Sequence, residues 1–124
     1  MSQSPTHITD RSTDLLDMPG VPGMQYRLLI DADTVPSANL CHGIFYMAPD
    51  SEEAPHTHQV AETIYVLSGC GHVQLGDEEL KLETGDMVFI PAGCPHGFHA
   101  VDRMEVHFTF PVDRFEDVTY HDAS

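Results

Sequence analysis

Four side chains in this sequence have the types and spacing to hold a metal ion: His56, His58, Glu62 and His96. His56-Thr57-His58 sets two imidazoles at i and i+2. On an extended strand such a pair shares one face, with the residues about 7 Å apart along the chain. Glu62 follows His58 by four residues, and a short connection there swings its carboxylate back toward the pair. His96 comes much later, after the turn-forming run Pro91-Ala92-Gly93-Cys94-Pro95. Imidazole and carboxylate donors suit a divalent first-row ion, and the set admits Fe, Mn, Ni, Cu, Co or Zn. Four protein donors on an octahedral ion leave two adjacent positions open for substrate or dioxygen. In a chain with nine histidines a lone His-x-His carries little weight, so the joint spacing is the signal. His42, His72, His99 and His107 could each support the site, but taken singly each reads as a surface or core residue.

Short strands punctuated by turns must position these donors. Runs at Tyr26 to Ile30, Asn39 to Ala48, Thr63 to Leu67, Met87 to Ile90 and His96 to Ala100 are strand-like. His72 to Leu75 and Glu79 to Leu82 flank Gly76-Asp77, a hairpin signal. Met104 to Phe110 alternates, with Met104, Val106, Phe108 and Phe110 on one face and Glu105, His107 and Thr109 on the other. No segment keeps a helical apolar period over the ~10 residues that a helix needs. Many short strands at this spacing predict an all-β sandwich or barrel.

The length of 124 residues fits one domain. Residues 1–17 read as a flexible N-terminal tail and residues 18–124 as the folded domain. The net charge of −15, from 20 acidic against 5 basic residues, repels a phosphate backbone and anionic lipid, so nucleic-acid and membrane partners are not expected. The polar stretch from Met1 to Asp14 lacks an apolar secretory core. The three cysteines form no CxxC pair and read as free thiols, which together suit a cytoplasmic setting.

Two ordered motifs now stand out. His-x-His-x3-Glu-x6-Gly runs from His56 through Glu62 to Gly69, and Gly-x5-Pro-x-Gly-x2-His runs from Gly85 through Pro91 and Gly93 to His96. They resemble the paired motifs of the cupin superfamily, whose fold is a single-domain β-barrel of the double-stranded β-helix, jelly-roll type. The resemblance implies that His56, His58, Glu62 and His96 bind one divalent transition metal ion. It also implies pairing of the chain into a homodimer. Asp50 stands where the first motif usually opens with glycine, and Ala100 where the second usually ends with asparagine.

Flanking stretches, Pro22 to Asp33 and Phe110 to Tyr120, are similar to small cupins that include dimethylsulfoniopropionate lyases. In such lyases a tyrosine two residues after the metal-binding glutamate removes a proton α to the substrate carboxylate. Here that position is Ile64, and Tyr65 follows it. One residue along a strand turns the side chain to the other face. The base must then come from elsewhere, and Tyr120, Tyr46 and His107 are the candidates, with Tyr26 behind them.

Three functions follow. The first is a metal-dependent enzyme that abstracts a proton from a small carboxylate or dicarbonyl, leading to elimination or isomerisation. The second is a non-heme iron(II) dioxygenase, which needs no tyrosine base. The third is a small-ligand-binding or sensing protein without turnover. Each takes a small molecule as its partner.

Overall fold

The computed structural model describes residues 4–35 and 37–124. The strands are β1 (Leu16–Asp17), β2 (Met24–Ile30), β3 (Cys41–Met47), β4 (Glu52–His58), β5 (Glu62–Ser68) and β6 (Cys70–Leu75). They continue with β7 (Glu78–Glu83), β8 (Met87–Ile90), β9 (His96–Ala100), β10 (Met104–Phe110) and β11 (Tyr120–Asp122). Single 3-10 turns occur at Asp10–Ser12 and Phe115–Asp117. Among the described residues no helix is long and apolar enough to cross a membrane.

The strands form two antiparallel sheets, ordered β1-β2-β3-β10-β5-β8 and β11-β4-β9-β6-β7. The sheets face one another as a jelly-roll and are not joined into a hydrogen-bonded ring. Alternation decides which faces meet. On β10, Met104, Val106, Phe108 and Phe110 are buried while Glu105, His107 and Thr109 are half-buried. The buried set joins Cys41, Phe45 and Met47 of β3, Ile64 and Val66 of β5, and Val73, Phe98 and Ala100 from the second sheet in one core. Phe45 stacks on Phe108 with ring centroids 4.2 Å apart.

Part of the stretch read as an N-terminal tail, residues 1–17, is paired with the body of the fold. Leu16 and Asp17 pair with Tyr26 and Gln25, and the Arg27 guanidinium donates to the carbonyls of Asp10 and Thr13. Residues 1–3 of that stretch lie outside the described residues.

The two departures from the paired motifs meet at one corner. Asp50 has φ 63°, a left-handed conformation that glycine adopts freely and aspartate tolerates better than most residues. Its N–H donates to the Ala100 carbonyl at 2.8 Å, and the Ala100 N–H donates to the Ser51 carbonyl at 3.0 Å.

A β-bulge in β4 shapes the site. Glu53 pairs with Phe98 and His56 with His96, so Ala54 and Pro55 together oppose Gly97. In a regular strand residues 53 and 56 would face opposite sides. The extra residue restores them to one side, and Glu53, His56 and His58 are all buried. Pro55 is tolerated because a bulge asks less of its missing N–H. A Cβ on Gly97 would stand 2.6 Å from the Glu53 carbonyl oxygen and 3.0 Å from the Pro55 nitrogen. Gly97→Ala is therefore expected to cost about 1–3 kcal/mol, as overpacking against backbone does. Urea denaturation of the variant beside wild type measures it, and equal midpoints would show that the bulge yields freely.

Candidate metal centre

The four predicted donors enter the interior from three strands. His56 and His58 project from β4, and His96 opens β9 directly opposite His56. The turn at Pro91 to Cys94 delivers His96, with the Gly93 N–H bonded to the His58 carbonyl at 2.9 Å. Glu62 opens β5 in the other sheet, so the set spans both sheets. The His56 and His96 ring centroids are 4.3 Å apart, and those of His58 and His96 4.8 Å. One ring nitrogen from each of the three histidines lies within 4.8 Å of the others, close enough to share an ion.

Hydrogen bonds decide which nitrogens are free. His56 Nδ1 faces the Ala54 carbonyl at 3.0 Å, His58 Nδ1 that of Val60 at 2.7 Å, and His96 Nδ1 that of Cys94 at 2.9 Å. A carbonyl only accepts, so each Nδ1 carries a proton, and Nε2 is the ring nitrogen through which each histidine could bind an ion. His96 Nε2 is buried with no hydrogen-bond partner among the described residues. Glu62 Oε1 lies 3.1 Å from His58 Nε2 and 3.5 Å from His96 Nε2. A proton or a metal cation between them would satisfy nitrogen and oxygen lone pairs that face each other at this range. The residues therefore fit a divalent metal ion, held by His56, His58 and His96 with Glu62 beside them, and the backbone carbonyls orient the ligands as such sites require.

The surroundings are dry on one side and open on the other. Phe110 meets the His58 ring edge-on at 5.2 Å. Tyr120, paired with His58 across β11 and β4, brings its ring to 5.1 Å from His56 and 5.6 Å from His58. A cavity of about 640 Å³ opens beside them, lined by Glu53, His56, Tyr120, Tyr26, Leu28 and Phe115 among others. Burial shifts the groups around it. It holds the His56 imidazole below its ordinary range, partly offset by the Ala54 carbonyl. Burial, then the nearby Glu62 charge, pushes the Glu53 carboxyl up to about 8. Burial, then Glu62 and Glu53, also raises the Tyr120 phenol, which stays protonated at neutral pH.

The remaining candidates separate cleanly. Tyr120 and Tyr26 line the cavity. Tyr46 and His107 do not reach it. Tyr46 lies between buried Phe45 and Met47 on β3, so its ring points to the outer face, near Arg27 and Arg103. His107 is on the outer face of β10, its ring 3.9 Å from that of His42. Ile64 is fully buried and Tyr65 is 37% exposed, as the one-residue offset predicts. The Cys41 thiol is buried and its pKa is pushed up to about 12, which suits a free, unreactive thiol. Sequence spacing missed Glu53, because three residues before His56 it reads as outward. The signal was Ala54-Pro55, a proline inside a strand, which marks a bulge.

Comparison with known proteins agrees with this geometry. The cupin domain family matches residues 43–112. A protein of Streptomyces coelicolor is 27% identical over 65 residues, which cover 52% of this chain and 62% of that protein. One of Aquifex aeolicus is 37% identical over 57 residues, covering 45% and 47%. The matched stretches thus span less than two thirds of either relative. Among solved structures, the polyketide cyclase RemF from Streptomyces resistomycificus superposes with TM-score 0.85 at 23% identity, over 98% of this chain and 87% of its own. KdgF from Halomonas sp. gives 0.76 at 22% identity, over 92% and 98%. Oxalate decarboxylase of Bacillus subtilis gives 0.79 at 21% identity, over 98% of this chain and 33% of its own. At these identities the structures speak for the fold alone. The family match covers more than half of the sequence and takes in both histidine motifs, and on that ground this chain belongs to the cupin family.

Proposed function

We propose that this protein is a divalent-metal-dependent enzyme that exchanges a proton α to a carbonyl group of a small carboxylate or dicarbonyl compound. The observation that carries this reading is the convergence of three Nε2 atoms, one of them buried and unpartnered, beside an open cavity. A bound divalent ion supplies Lewis-acid charge, which polarises a carbonyl and steadies the negative charge left by proton removal. The chain's own residues supply the rest. Phe110, Phe98 and Phe115 keep water from one side of the reacting group. Tyr120 lines the cavity, and if the charge of a bound divalent ion drew its phenol proton off to solvent, the phenolate would be the group placed to take the α proton and later return one.

The lyase-like resemblance enters here in modified form. The tyrosine such lyases place after the glutamate is absent from the interior, since Ile64 occupies that position. Tyr120 reaches the same imidazoles from β11 instead, so an elimination remains chemically available with a different proton carrier.

Pairing of two copies is part of the same reading. On the outer face of the first sheet Phe89 is 63% and Met87 65% exposed, beside Tyr65 at 37% and Leu67 at 42%. Tyr65 and Met87 are direct cross-strand partners, as are Thr63 and Phe89, so these side chains form one patch on an edge of the sheet.

Three measurements test these statements. Purified tag-free protein should carry near-stoichiometric divalent metal by mass spectrometry, lost in His56→Ala and in His96→Ala; wild type that neither carries nor takes up metal would sink the reading. Metal-loaded protein should speed deuterium exchange of hydroxyacetone in heavy water, followed by NMR. Tyr120→Phe should keep its metal and lose about 10²-fold or more of that exchange, whereas oxygen consumption with iron and no exchange would favour the dioxygenase. Light scattering should report a dimer that Phe89→Glu shifts to monomer, and a monomeric wild type would remove the pairing.

A further inference from the structure

We propose that the substrate carries an aromatic ring, which lies in the cavity beside His56 along a row of aromatic side chains while its carbonyl end meets the imidazoles. This rests on the metal-centre reading above and narrows its substrate class to the members that bear an aryl group.

Four rings on the cavity wall follow one another to the metal centre. Between centroids, Tyr26 lies 5.0 Å from Phe115, Phe115 6.3 Å from Tyr120, and Tyr120 5.1 Å from His56. Their planes meet at 39°, 60° and 52°, so no two of them are stacked face to face. Tilted rings present faces and edges together, which an aromatic guest can meet edge-to-face or offset. Phe108 and Phe110 on the core side are fully buried, whereas Tyr26, Phe115 and Tyr120 are only half-buried. The surface that those three leave uncovered borders the cavity.

The wall between these rings is aliphatic. Met18, Val21, Leu28 and Val118 border the same space, and Met18 and Val118 belong to the hydrophobic core. A volume of about 640 Å³ exceeds what a three-carbon ketone needs and suits a ring-sized body. The acidic residues at the wall leave this character in place. Asp31 has both oxygens taken, by the N–H groups of Asp33 at 2.9 Å and Phe115 at 2.8 Å. Asp33, Glu116 and Asp122 are exposed to solvent, and Glu53 stands at the imidazole end, 3.9 Å from His56. None of the chain's five lysines and arginines lines the cavity, so it offers the body of a ligand apolar contact and no cation.

Benzohydroxamate and acetohydroxamate offer a metal the same pair of oxygen donors and differ as phenyl against methyl. Cobalt-loaded full-length protein, wild type and Leu28→Trp, is titrated with each and followed by visible absorption. Wild type should bind benzohydroxamate about tenfold or more tightly, after division by the ratio for cobalt ion in solution. Leu28→Trp puts a side chain where the ring would lie, and should bring that corrected ratio to within about threefold of one. In zinc-loaded wild type, nuclear Overhauser contacts should join the benzohydroxamate ring protons to the methyl groups of Leu28 and Val118, a readout that needs no variant. Equal affinities in wild type, a ratio unchanged in Leu28→Trp, ring contacts to other side chains only, or no response to either compound would overturn the proposal, while bound metal keeps the metal reading standing. No cobalt or zinc uptake by wild type would overturn both.

Discussion

The Nδ1 atoms of His56, His58 and His96 each face a backbone carbonyl two residues away along the chain. That repeated bond fixes the ring orientation and the nitrogen left to bind an ion. It leaves three Nε2 atoms pointing into an interior where water is scarce, and an unpartnered polar atom there is costly unless something binds it. The carbonyls are available because the chain departs from regular pairing at each point: the bulge at Ala54, the link at Val60 and the turn at Cys94. The irregular backbone is therefore as much a part of the centre as the imidazoles.

Because Glu62 belongs to the first sheet and the histidines to the second, the site depends on how the sheets face each other. The core between them is built from β-branched and aromatic side chains such as Val66, Phe98 and Phe108, which lock into few rotamers and resist sliding. An ion gripping residues from both sheets would favour this arrangement over any looser one, since binding energy for the assembled site is also folding energy.

The strands and the four donors were legible because both rest on periodicity and fixed spacing. Alternation in Met104 to Phe110 named two faces, but which one is interior depends on what packs against it, and only the assembled sheets put His107 outside. Glu53 was hidden by the bulge, which breaks the rule that made His56 and His58 readable. Leu16-Asp17 and Tyr120–Asp122 were not legible as strands because each is too short to show a period. They are strands only because β2 and β4 offer them an edge.

The position after the glutamate shows how one residue redistributes roles. Ile64 inside the core is completely buried, where a phenol would need a partner for its hydroxyl. Tyr65 outside adjoins Met87 and contributes to the exposed patch instead. The first sheet thereby sets an aliphatic side chain in the core and an aromatic ring on its exposed outer face. On the other sheet β11 lays the Tyr120 phenol across His58, and Phe115 closes beside it. A side chain on a strand as short as β11 has fewer backbone bonds behind it than one on β5, so its position depends more on side-chain packing. The rings of Phe115, His56 and His58 around Tyr120 supply that packing, and they tie the phenol to the imidazoles themselves.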